Sequence, residues 1–183
     1  MPTTFLKQLM LAAAVSASLP LAACSIDVSD DDTRGRKDVD IRTPVGAMTV
    51  QTGVNADTGL AVYPGAAPLL DDREPESANV NIGTSLFGLK VAAAKFESVA
   101  PPETILDFYR NEMKAYGDVQ ECRGDIDFRG RGDSARTVCK ERRRSRETQL
   151  AVGTKGRHRV VSVKPRGAGS EFAVVYIQTR GEG

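Results

Sequence analysis

The sequence is poor in the residues that most chemistry at neutral pH uses. Histidine occurs once, as His158, and cysteine three times in 183 residues. One imidazole and two spare thiols make no convincing zinc site, which takes four ligands. No H-E-x-x-H or nucleophile-elbow pattern accompanies the histidine. With Arg157 and Arg159 on either side, His158 is expected at a solvated strand start rather than as a catalytic base. There is no C-x-x-C pair, which removes the usual redox motif. The acidic runs Asp30-Asp31-Asp32 and Asp71-Asp72-Arg73-Glu74 lack the alternating oxygens and the glycine of an EF-hand loop, so both read as solvated stretches. Glycine-rich residues 166–171 lack the spacing of a phosphate loop and precede a strand, which predicts a hairpin turn. No catalytic residue, metal or cofactor is therefore expected.

A long hydrophobic run is also missing. A membrane-spanning helix takes roughly 20 apolar residues, whereas the apolar segment 8–23 has 16, interrupted by Gln8, Ser16, Ser18 and Pro20. Lys7 is the only charge before Asp27. This layout predicts a signal peptide over residues 1–23. Leu21-Ala22-Ala23-Cys24 closes the segment and resembles the lipobox of bacterial lipoproteins. The resemblance implies cleavage before Cys24 and a diacylglycerol on its sulfur. One acyl chain holds a protein to a membrane only marginally, but lipoproteins carry two or three. Ser25 after the cysteine implies, by the sorting rule of that class, the outer membrane. The competing reading is an ordinary secretory cleavage that leaves Cys24 a free terminal thiol.

With Cys24 set aside, Cys122 and Cys139 are an even pair in an oxidising compartment, and one disulfide closing the loop 122–139 is expected. Residues 24–37 have almost no apolar content beyond the cysteine and read as a disordered tether. Residues 38–183 read as one domain. Charge is unevenly placed: residues 25–119 hold 9 Lys/Arg against 16 Asp/Glu, and residues 120–183 hold 15 against 8. A basic C-terminal part suits an anionic partner, or else attraction between the two parts of the fold.

Residues 39–52 alternate as two short strands or one bent strand around Thr43-Pro44, and residues 78–98 as two strands. Tyr63-Pro64-Gly65 reads as a turn. The clearest helix covers 101–117, with Ile105, Leu106, Tyr109, Met113 and Tyr116 on one stripe. Further strands are expected at 118–122, 136–144, 158–165 and 171–179. The last is apolar on both alternating sets and so reads as central. Residues 147–154 read equally as helix or strand. One helix on an antiparallel sheet is an α+β arrangement. The segments "VDIRTPVGAMTV", "VYPGA", "FGLKVAAAKFES", "PPETILDFYRNEM" and "VSVKPRGAGSEFAVVYIQTRG" are together similar to a family of small exported bacterial proteins of unknown function. That likeness implies a fold and no activity.

Two stretches bear on partners. In "CKERRRSR", residues 139–146, an extended chain would line up Lys140, Arg142, Arg144 and Arg146 on one face, a candidate anion-binding row for lipid or glycolipid phosphates. An exported chain rarely meets nucleic acid, and the loop has few aromatics for stacking, so none is expected. Arg123-Gly124-Asp125 and Arg131-Gly132-Asp133 repeat an adhesion-type tripeptide, which a loop of this composition produces by chance; a flexible hairpin is expected there. The expected function is a non-enzymatic outer-membrane lipoprotein that binds or supports another envelope component. The alternative is an envelope hydrolase whose site is assembled from loops.

Overall fold

The computed structural model describes residues 24–31, 36–53, 56–69, 77–129, 136–154 and 156–181. The expected signal peptide, the second Arg-Gly-Asp and the run at 71–74 lie outside the described residues. Strands β1 (Ser25–Asp31), β2 (Arg36–Thr43), β3 (Gly46–Thr52), β4 (Ala67–Pro68), β5 (Ser77–Thr84) and β6 (Gly88–Ser98) come first. Helix α1 (Pro102–Met113) follows and tightens into a 3-10 turn over Lys114–Tyr116. Strands β7 (Gln120–Arg129), β8 (Arg136–Glu141), β9 (Thr148–Thr154), β10 (Arg157–Arg166) and β11 (Gly169–Arg180) complete the order.

All pairings are antiparallel, in one sheet ordered β1-β2-β3-β5-β6-β11-β10-β9-β7-β8, with β4 alongside β6. Strands make up 63% of the described residues and helix 11%. The protein is thus mostly β, and the α+β expectation is corrected. Segments of poor strand propensity are recruited by ladder hydrogen bonds to their neighbours, because pairing outweighs intrinsic preference in a sheet. Residues 25–31, read as tether, pair with β2 from Ser25↔Arg42 to Asp31↔Arg36. The polar interior of the disulfide loop extends β7 to Arg129, and 147–154 resolves as strand because β9 pairs with β10.

The helix begins where two prolines need no amide partner, with Pro102 at its first position and Glu103 in its first turn. Its apolar stripe, Ile105, Leu106, Tyr109 and Met113, is buried against Leu150, Val152, Val161, Val163, Phe172 and Val174. Arg110, on the outer side, bonds Glu103, Asp107 and Glu121, tying α1 to β7. Tyr63 to Ala66 is a turn closed by the Ala66 N–H on the Tyr63 carbonyl at 3.0 Å. Gly65 takes φ 81° there, a conformation open to glycine. The turn sets the Tyr63 ring edge-on to Phe108 at 5.3 Å.

Strand β11 lies between β6 and β10, as its two apolar faces predict. Residues paired across a sheet share a face, and the registers therefore build aliphatic rows on the side away from α1. One row is Ile26, Ile41, Met48, Ile82 and Leu89; the next is Val28, Val39, Val50, Val80, Val91 and Ile177. The opposite side of β1–β3 carries Asp27, Asp38, Asp40 and Thr49. These first strands bury no hydrophobic side chain completely.

Candidate functional site

The β7–β8 hairpin holds most of the residues singled out by the sequence. Cys122 and Cys139 form the expected disulfide, with Cα atoms 5.5 Å apart. In the strand register Cys139 lies opposite Ile126, not Cys122. The chain therefore turns between 122 and 126, and Gly124 does it at φ 136°. A Cβ on Gly124 would come within 2.4 Å of the Lys140 carbonyl. The first Arg-Gly-Asp is thus part of a bent, paired strand rather than a flexible loop tip.

The basic row does not form. Strand β8 stops at Glu141, and Arg142 to Ser145 is a turn closed by the Ser145 N–H on the Arg142 carbonyl at 2.8 Å. Consecutive arginines repel, and a turn spreads them apart, whereas an extended edge would align them. Lys140 pairs with Asp127 and Arg142 with Asp125, both across the hairpin. The Lys140 ammonium holds the Asp127 carboxyl below its ordinary value. Arg143, Arg144 and Arg146 are exposed and make no ion pair among the described residues. Of the four proposed anion ligands, Arg144 and Arg146 keep their charge free.

His158 is buried, not solvated: it is 4% exposed, with its ring 4.4 Å from Phe128 of the hairpin. Its Nδ1 has no hydrogen-bond partner among the described residues, and burial lowers its pKa. The flanking arginines gave no hint of this, because the cover comes from a hairpin some 30 residues earlier in the chain. On the same face of β10, Ser162 donates to Glu147 at 2.5 Å, and Gln149 donates to the same oxygen at 2.8 Å. Ser162 is four positions from His158 along β10, roughly 13 Å, so the imidazole does not serve that hydroxyl. At Glu171 burial pulls upward, but Lys164 and Arg166 outweigh it and the pKa falls. Asp127 and Glu171 are both moved away from the raised pKa of a general acid.

One cluster had no sequence signal. The Arg159 guanidinium lies 3.5 Å from the Tyr116 ring centroid and 5.0 Å from that of Tyr176, and it donates to the Thr58 carbonyl at 3.2 Å. Tyr116 donates to the Gly59 carbonyl. Stacked between rings, the arginine pins segment 56–60 to the sheet. About a hundred residues separate Arg159 from Thr58, too far for any local pattern. Cys24 is exposed and outside the disulfide, and it immediately precedes β1. No helix among the described residues is long and apolar enough to cross a membrane. The chain matches no protein-family model, no curated protein and no solved structure.

Proposed function

We propose that the chain is an exported, non-enzymatic lipoprotein, anchored to the outer membrane through acylated Cys24, that binds or supports another envelope component. The observation carrying this reading is Leu21-Ala22-Ala23-Cys24 at the end of an apolar segment, with that cysteine exposed and left out of the disulfide. A paired Cys122–Cys139 is in keeping with an oxidising compartment. The free charges of Arg143, Arg144 and Arg146, between β8 and β9, favour an anionic envelope partner.

Mass spectrometry of the N-terminal peptide of the native protein tests the anchor. The expected chain starts at Cys24 and carries added acyl mass. A bare thiol, or a start at another residue, overturns the lipoprotein reading.

A further inference from the structure

Four of the seven exposed large hydrophobic side chains among the described residues, Ile26, Val45, Leu86 and Phe87, lie at one end of the sheet. Cys24 and Ser25, the β2–β3 turn, the β5–β6 turn and the last residues of β11 all lie there, because Ser25 pairs with Arg42, Gly46 with Thr84, and Gly88 with Arg180. The tips are Val45, 77% exposed, and Leu86, 82% exposed, with Phe87 at 46% beside Leu86. Ile26, 69% exposed, is two residues from the Cys24 thiol and heads an aliphatic row one residue in from this end.

These tips are held outward by their turns. Thr84 Oγ1 accepts the N–H of Phe87 at 2.9 Å and of Leu86 at 3.3 Å, and the Thr84 N–H bonds the Phe87 carbonyl at 2.7 Å. Gly181 lets the end of β11 close on this turn, since a Cβ there would meet the Leu86 carbonyl at 2.4 Å. The two turns face each other across a groove of about 580 Å³ lined by Arg42, Val45 and Ser85. Residues 24–25, 42–47, 83–88 and 180–181 include two arginines, Arg42 and Arg180, and no carboxylate. Among the described residues of these turns, apolar tips flanked by two arginines and no carboxylate suit an anionic lipid surface, where interfacial elements sink roughly 5–10 Å.

We infer that this end of the sheet docks on the lipid leaflet that holds the anchor, with Val45, Leu86 and Phe87 entering the acyl-chain boundary and Arg42 and Arg180 meeting headgroup phosphates. The inference rests on acylation of Cys24. Because β1 starts at the next residue, no spacer holds the sheet away from the leaflet. Ile26 lies within roughly 7 Å of the anchored residue along an extended strand. The domain would stand on the membrane by its turns rather than float on a tether.

The chain has no tryptophan, so a single indole reports one site without background. Leu86→Trp and Val99→Trp place it at opposite ends of the sheet, Val99 being 94% exposed. The acylated full chain is reconstituted in phosphatidylethanolamine–phosphatidylglycerol vesicles with brominated acyl chains, and acyl mass is verified on the same sample. The expected result is a blue-shifted indole at position 86, quenched by bromine severalfold more than the indole at 99. Acyl mass with equal quenching at both positions overturns the docking alone. Absence of acyl mass overturns the anchor and the docking with it. Shielding of position 86 that rises with protein concentration in lipid-free solution assigns this end to a second copy, and also overturns it.

Discussion

At the scale of single residues, burial decides what a titratable group can do. His158 has its Nδ1 unpaired among the described residues and Phe128 against its ring. Its folded pKa lies below the ordinary 6.5 because the charged form is poorly solvated. The unfolded chain therefore binds the proton first as pH falls, and stability declines from about pH 6.5 downward until the folded value is passed. Urea midpoints at pH 7.5 and 5.5 should show this decline, and His158→Phe should reduce it while keeping the ring contact. An unchanged pH response in the variant would assign the decline to other groups. Position 158 itself was plain in the sequence, but its environment was not: alternation places it on a strand face, and only the fold places Phe128 over that face.

At the scale of elements, the hairpin of β7 and β8 shows how a covalent link outlasts a local pattern. Its disulfide was legible from the cysteine count, together with the oxidising compartment that the N-terminal segment led one to expect. Its strands do not, because Arg, Gly and Asp disfavour pairing by composition and are paired here through cross-strand ions, Lys140 with Asp127 and Arg142 with Asp125. Replacing Cys122 and Cys139 together by Ala should lower unfolding free energy by about 3 kcal/mol, the chain-entropy value for a loop of this length. Urea denaturation of the oxidised protein and the double variant measures it. Equal stability would mean that the ion pairs and the Phe128–His158 contact hold the hairpin unaided. Helix α1 was legible because its stripe, its prolines and Gly117 agree with one another. The arginine row failed for the opposite reason: period two was assumed where the chain turns at Arg142.

At the scale of the whole molecule, the sheet has two unequal parts. From β6 to β9 it shares a core with α1, in which Ile105, Tyr109, Met113, Leu150 and Val161 are fully buried. From β1 to β3 it buries no hydrophobic side chain completely, and Ile26 and Val28 are largely exposed. Opening free energy follows buried apolar contact. In the non-acylated chain, amides of β1 and β2 should exchange with solvent much faster than those of β10 and β11, while membrane docking should slow them. Uniform protection across the sheet would contradict the division. The sequence by itself determined the disulfide pair that leaves Cys24 out, the helix and the central place of β11. Each of those depends on residue type or on spacing within a dozen or so neighbours. Only the tertiary structure decided that the chain is mostly β, that residues 25–31 are strand rather than tether, that His158 is buried, and that Cys24 shares one end of the sheet with Val45 and Leu86. The physical reason is that sheet pairing joins residues far apart in the chain, so register and cover are set by partners that no local window contains.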